Sequence, residues 1–173
     1  MENKELLRLI SRLLLYPQEE MLTVNLSDYH FRNKETERRI MDFIAYLQSI
    51  PIAEQQKNYV NTFDFNEKTN LYLTYAKLKE EKDRGQVLLK LKQIYQNEGL
   101  LMESAELPDY LPLVLEFMAI AEEEISAQLF KQLQETIQTL RRELKAINSP
   151  YTGLIDSILI IMDSKPAKGG VAK

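Results

Sequence analysis

Tyr110-Leu111-Pro112-Leu113-Val114-Leu115-Glu116-Phe117-Met118-Ala119-Ile120-Ala121 is apolar or aromatic at every position except Glu116. Wound at about 100° per residue, these side chains cover the whole circumference of a helix, the pattern of an element enclosed by others. Asp109 is placed to cap it. Pro112 falls in its first turn, where a missing N–H costs nothing because the first four donors have no intrahelical acceptor. Such a central helix needs amphipathic neighbours, and the chain supplies them on both sides.

Downstream, the acidic run Glu122 to Glu124 reads as the solvated end of the central helix. From Ser126, a long helix carries Leu129, Phe130, Leu133, Ile137, Leu140, Leu144 and Ile147 on one face until Ser149-Pro150 breaks it, and a last apolar helix covers Thr152 to Met162. Upstream, Leu6, Ile10, Leu13 and Leu14 share the face of a first helix stopped by Pro17. Gln18 to Arg32 reads as a short helix plus a loop. Asn33 precedes a helix bearing Ile40, Met41, Phe43, Ile44 and Leu47 that Pro51 ends. From Ile52, the positions Gln56, Tyr59, Val60 and Phe63 keep the helical period as far as Asp64-Phe65-Asn66, where Asn66 can cap a new helix over Glu67 to Lys79. Lys79 to Arg84 reads as a solvated, charge-dense turn. Asp83 and Gln86 resemble a capping box for the next helix, whose stripe is Val87, Leu88, Leu91, Ile94 and Tyr95 and whose stop is Gly99.

The expectation is an all-α fold, a single-domain helical bundle of seven to eight helices over residues 1–162, followed by a disordered tail over residues 163–173 with no apolar period. Composition agrees. The chain has 173 residues, one domain's worth, and only 5 Gly and 6 Pro, too few turn-formers for a many-stranded β fold. A net charge of −4 gives no basic footprint for nucleic acid. No apolar run approaches the roughly 20 residues that span a bilayer, and none near the start matches a signal-peptide core of about 7 to 15 residues, so a cytoplasmic protein without direct membrane insertion is expected.

The inventory of reactive groups is thin. There is no Cys, which removes thiolate metal sites and a Cys nucleophile, and the single His30 has no second His to complete a metal site. The five glycines form neither a phosphate-binding loop nor an esterase elbow. Neither a catalytic residue, a metal nor a cofactor of its own is expected. What stands out instead are the tyrosines Tyr59, Tyr72, Tyr75 and Tyr110, whose rings suit either a core or the amphipathic rim of a peptide groove.

Four runs then carry a resemblance: Tyr59-Val60-Asn61-Thr62-Phe63-Asp64; Lys68-Thr69-Asn70-Leu71-Tyr72-Leu73-Thr74-Tyr75; Asp83-Arg84-Gly85-Gln86 with Leu88 to Lys92 and Tyr95; and Leu107-Pro108-Asp109-Tyr110-Leu111-Pro112 with Leu115-Glu116-Phe117. In order and spacing they are similar to the NarJ-type nitrate reductase assembly chaperones, relatives of the TorD and DmsD proteins. Asn70 departs from a more usual Ser, and Lys79 to Lys82 from a Gly-Asp turn, while Tyr110 matches the NarJ branch where the TorD branch has His. The resemblance implies a cytoplasmic chaperone that binds the N-terminal segment of the apo catalytic α subunit of respiratory nitrate reductase and keeps it competent for molybdenum cofactor insertion. Cofactor-synthesis proteins are further implied partners. A different molybdoenzyme client and a helical regulatory protein are the alternatives.

On that resemblance, the candidate client-binding residues are Tyr59, Phe63, Asp64, Lys68, Tyr72, Tyr75, Arg84, Asp109, Tyr110 and Glu116. Glu116, the one charge on the central helix, is expected to be buried and paired with Arg84, Lys68 or a tyrosine hydroxyl, either as a structural tie or as a peptide contact. For the tail, deletion after Ser164 is expected to leave the thermal midpoint unchanged. A drop of several degrees would show that it packs on the domain.

Overall fold

A computed structural model describes residues 2–75, 82–100 and 106–163. Among them are seven α-helices and no strand: α1 (Glu2–Leu13), α2 (Lys34–Ser49), α3 (Ile52–Tyr59), α4 (Lys82–Asn97), α5 (Leu111–Ile120), α6 (Glu123–Ala146) and α7 (Thr152–Asp163). The all-α bundle is therefore as expected. Helix α5 lies along α1 and against α6, while α7 packs on α2, α6 and the end of the α1 layer. The residues expected for the tail lie outside the described set, apart from Asp163, which ends α7.

Local chemistry explains most boundaries. Asn33 caps α2 by accepting from the Glu35 and Thr36 amides at 2.8 and 3.2 Å, which satisfies two of the four orphan donors. At the other end of α2, the buried Gln55 amide donates to the Leu47 and Ile50 carbonyls at 2.7 and 3.1 Å, locking the α2–α3 corner around Pro51. Gly99 takes a φ of +81°, so the Leu100 amide reaches the Tyr95 carbonyl and the Gly99 amide reaches Gln96, a Schellman close to α4. The buried Ser11 hydroxyl of α1 donates to the Pro112 carbonyl at 2.8 Å, fixing the first helix to the start of the central one.

Several expectations fail, each for a physical reason. Residues 66–74 do not form the anticipated helix, and helical backbone begins only at Tyr75. Asn66 accepts from the Lys68 amide at 3.1 Å and Asn70 from the Tyr72 amide at 2.7 Å, so their side chains build turns that compete with helical bonding. The remainder of that expected helix, residues 76–79, lies outside the described residues, as does most of the charged turn. The 18–32 stretch holds two short 3-10 turns, Glu19–Thr23 and Leu26–Asp28. Helix α3 ends in a wider π turn, Val60–Asp64, instead of continuing evenly through Phe63. Asp83 sits inside the first turn of α4 and does not cap it. Glu122 to Glu124 belong to the start of α6, where the helix dipole favours acidic groups, not to the end of α5.

Burial corrects the central helix as well. Leu111, Val114, Leu115, Phe117, Met118 and Ala119 are buried, but Glu116 is exposed. Leu113, Glu116 and Ile120 share the one face of α5 that α1 and α6 leave uncovered, so Glu116 needs no partner to be solvated. Met41 and Ile147, placed on core faces by periodicity, are 52% and 48% exposed.

The sequence reading missed one buried charge. Asp156, only 7% exposed on α7, pairs with Arg39 of α2 and Arg141 of α6, and Arg39 also holds Glu35 at 2.8 Å. Asp156→Ala is expected to cost about 2 to 3 kcal/mol in urea unfolding, below the roughly 3 to 5 of a fully buried pair because both guanidinium groups reach water. A loss under about 0.5 kcal/mol would show that the tie contributes little. The core also holds Tyr59, Tyr95 and Tyr151, whose hydroxyls burial pushes well above the ordinary tyrosine range. Below pH about 10 both states keep these protons; above it only the unfolded chain releases them, so stability should fall by up to about 1.4 kcal/mol per pH unit for each tyrosine. Urea midpoints that stay flat between pH 9 and about 11.5 would contradict this.

Candidate functional site

A cavity of about 210 Å³ opens between the end of α3 and the loop segments around residues 70 and 110. Its position follows from the turn chemistry just described. Because residues 66–74 are not helical, their backbone is free to pair elsewhere: the Leu73 amide donates to the Asp109 carbonyl at 3.0 Å and the Leu111 amide to the Leu71 carbonyl at 2.9 Å. This single antiparallel bridge sets Tyr72 beside Tyr110, with ring centroids 5.2 Å apart. The Thr69 hydroxyl, donating to the Thr62 carbonyl, ties the same loop to the π turn.

Tyr59, Phe63 and Asp64 form the opposing wall. Tyr59 is buried edge-on against Tyr16 and Phe63, at centroid distances of 5.6 and 4.9 Å. Its hydroxyl donates to the Leu14 carbonyl at 3.0 Å and lies 3.3 Å from the Tyr110 hydroxyl. Since the Tyr59 proton is committed to Leu14, Tyr110 is the donor in that pair. Burial raises the pKa of both hydroxyls, with the neighbouring phenol adding to the effect on Tyr59. Tyr72 donates to Glu106 at 2.5 Å, and its pKa too is raised, first by desolvation and then by that carboxylate. Asp64 is exposed at the mouth, yet the wall behind it removes enough water to raise its carboxyl above the usual range.

Of the ten candidates, Tyr59, Phe63, Asp64, Tyr72 and Tyr110 are thus brought into one cavity. A second group forms next to it. The fully buried Asp109 does not cap α5; one of its carboxylate oxygens accepts from the Thr74 amide at 3.1 Å, the Thr74 hydroxyl at 2.6 Å and Arg84 at 3.3 Å. Arg84 also donates to the Thr74 hydroxyl at 3.1 Å and lies 5.4 Å over the Tyr75 ring. Arg84 therefore serves Asp109, not Glu116. Asp109, Arg84 and Tyr75 hold the bridge from behind. Lys68 is exposed on the loop and Glu116 lies on the open face of α5, so neither joins the cavity.

Tyr16, Asn70, Leu71 and Glu106 complete the lining and were not among the candidates. Asn70 carried a signal, since it departs from the residue usual at that position, and its side chain makes the turn that presents Tyr72. Tyr16 and Glu106 lie outside any periodic segment, and nothing in their spacing points to the site. Among the described residues the arrangement offers aromatic rings, two carboxylates and no nucleophile–base pair. Among the described residues no group of three or more His, Asp or Glu side chains could hold a metal ion.

Residues 32–156, from α2 to within α7, match the family described as the nitrate reductase delta subunit. The chain is 35% identical over 160 residues to the probable nitrate reductase molybdenum cofactor assembly chaperone NarJ of Bacillus subtilis, covering 90% of this chain and 86% of that protein. It is 31% identical over 158 residues to the nitrate reductase molybdenum cofactor assembly chaperone NarJ of Escherichia coli K12, covering 87% and 66% respectively. With the probable chaperone NarW of the same strain, identity is 28% over 169 residues, or 98% of this chain and 73% of that protein. All three relatives are named as molybdenum cofactor assembly chaperones, two of them as probable ones, and the matched region contains every described lining residue of the cavity except Tyr16. The chain belongs to the nitrate reductase delta subunit family.

Proposed function

We propose that this protein is a cytoplasmic assembly chaperone that binds the N-terminal segment of the apo catalytic α subunit of respiratory nitrate reductase and keeps it competent for molybdenum cofactor insertion. The observation that carries the reading is convergence: three runs of sequence, around Tyr59, Tyr72 and Tyr110, the outer two 51 positions apart, meet in one aromatic cavity. A ring-lined recess beside exposed apolar residues suits the apolar face of a short helix, because each tyrosine buries an apolar body while keeping a polar edge. Phe65 at 81% exposure and Tyr16 at 44% supply apolar surface at the recess that folding alone does not require.

The relatives named as molybdenum cofactor assembly chaperones support the same client and the same step. In this reading the protein holds no cofactor of its own and acts by holding the client, with cofactor-synthesis proteins as further partners. None of the helices among the described residues is long and apolar enough to cross a membrane, which is compatible with action in the cytoplasm. The domain boundary follows the same reading, with residues 1–162 as the chaperone domain and the rest as a tail.

Calorimetric titration with a synthetic peptide of the client's N-terminal segment tests this. Binding should be one to one, with a negative heat-capacity change from the buried apolar surface. Tyr72→Ala, at a half-exposed position, should weaken binding by about ten-fold or more while leaving the thermal midpoint near that of the parent. No detectable binding, or a heat-capacity change near zero, would overturn the proposal.

A further inference from the structure

We propose that α4 opens as a unit of its own while the rest of the bundle stays folded, and that the Arg84–Asp109 pair couples this opening to the bridge between Tyr72 and Tyr110. The device works whether or not a partner occupies the cavity.

Helices α1, α2, α5, α6 and α7 pack on one another along their apolar faces. Helix α4 is held differently. Apolar residues run around most of its circumference, yet only Leu91 and Tyr95 among those described are buried; Val87, Leu88 and Ile94 are half-covered and Leu89 is 57% exposed. Two side chains anchor it. The Tyr95 hydroxyl donates to the Pro108 carbonyl at 2.7 Å, with its ring centroid 4.4 Å from that of Phe117, and Arg84 donates to the fully buried Asp109 carboxylate at 3.3 Å. Gly85 weakens the helix further, because it sits on helical backbone near the start, where an added Cβ would meet nothing among the described residues within 4 Å. An element with few buried apolar residues and water along most of its length opens at a lower free energy than the whole domain.

The anchors lead straight to the bridge. Asp109 is part of it, since its backbone carbonyl accepts from the Leu73 amide and its carboxylate from the Thr74 amide and hydroxyl. Arg84 belongs to α4 and donates to the Thr74 hydroxyl as well. When α4 leaves, the enclosed carboxylate loses its guanidinium, and a buried charge stripped of its partner is costly until water reaches it. Loosening the Leu73 to Asp109 and Leu111 to Leu71 hydrogen bonds lets that water in. Each closed state therefore favours the other, and the coupling runs equally in both directions. Helix α4 acts as a latch on the wall that presents Tyr72 and Tyr110.

Hydrogen exchange of the full chain, read by NMR at several urea concentrations below the unfolding transition, tests this. Amides from Leu88 to Tyr95 should exchange about ten-fold or more faster than the slowest amides of α1 and α5, with a weaker urea dependence, since a local opening exposes less surface than global unfolding. Asp156→Ala, which cuts a tie among α2, α6 and α7, should speed the slowest amides of α1 and α5 and leave those of α4, Leu73 and Leu111 unchanged. Gly85→Ala should slow the α4 amides about two- to four-fold and the Leu73 and Leu111 amides by the same factor. With Arg84→Gln in place, Gly85→Ala should still slow α4 but no longer Leu73 and Leu111. If the α4 amides share the urea dependence of the slowest amides, or speed up with them in Asp156→Ala, α4 opens only with the whole chain and the proposal is overturned. If Gly85→Ala slows α4 alone, the coupling to the bridge is overturned, and if the coupling survives Arg84→Gln, the pair does not carry it. The urea series and Gly85→Ala decide the opening and the coupling even where Arg84→Gln does not fold.

Discussion

Two backbone hydrogen bonds, Leu73 to Asp109 and Leu111 to Leu71, hold the rest of the site in place. A run that leaves the helical state must place its amides and carbonyls somewhere, and inside a bundle the choices are few. Here they are taken up by the segment that leads into the central helix. The pairing brings Tyr72 over Tyr110, carries the Tyr110 hydroxyl to Tyr59, and turns the backbone so that Thr74 meets the buried Asp109 carboxylate. Asp109 accepts three donors through one oxygen, and any substitution that removed them would leave an unpaired charge away from water. The carboxylate is thus part of the scaffold, and the rings it positions line the cavity.

How much of this was legible in the sequence depended on the range of the forces involved. Helices α1, α2, α6 and α7 were readable because their signals are local: a 3.6-residue apolar period, the Asn33 cap, the Pro17 and Pro51 stops. Residues 66–74 were not readable, because leucines at helical spacing suggested a helix while Asn66 and Asn70 favoured turns, and the decision fell to a partner segment nearly 40 positions away. Glu116 failed for a related reason. A helix apolar around most of its girth needs cover on only some sides, and periodicity does not say which side the neighbours leave open.

The site was half legible. Half of the ten candidates line the cavity: Tyr59, Tyr72 and Tyr110 stood out as tyrosines suited to a rim, while Phe63 and Asp64 entered only through the family resemblance. Arg84, Asp109 and Tyr75 show that a residue within a distinctive motif can serve the frame of a site rather than its surface. Tyr16 and Glu106 show the reverse, since they reach the cavity only because α1 ends, and the bridge begins, beside it.

The hydrogen bond from Ser11 to the Pro112 carbonyl spans 101 positions, and it marks where α1 packs along α5. Helix α1 therefore meets its main neighbour only after about a hundred further residues have been made. At about 5 to 20 residues per second, the leucine face of α1 waits on the order of 5 to 20 s for its cover. During that interval the nascent chain displays an amphipathic helix whose apolar face is uncovered, the kind of surface that favours early association with other proteins, and the bundle can close only once α5 has been made.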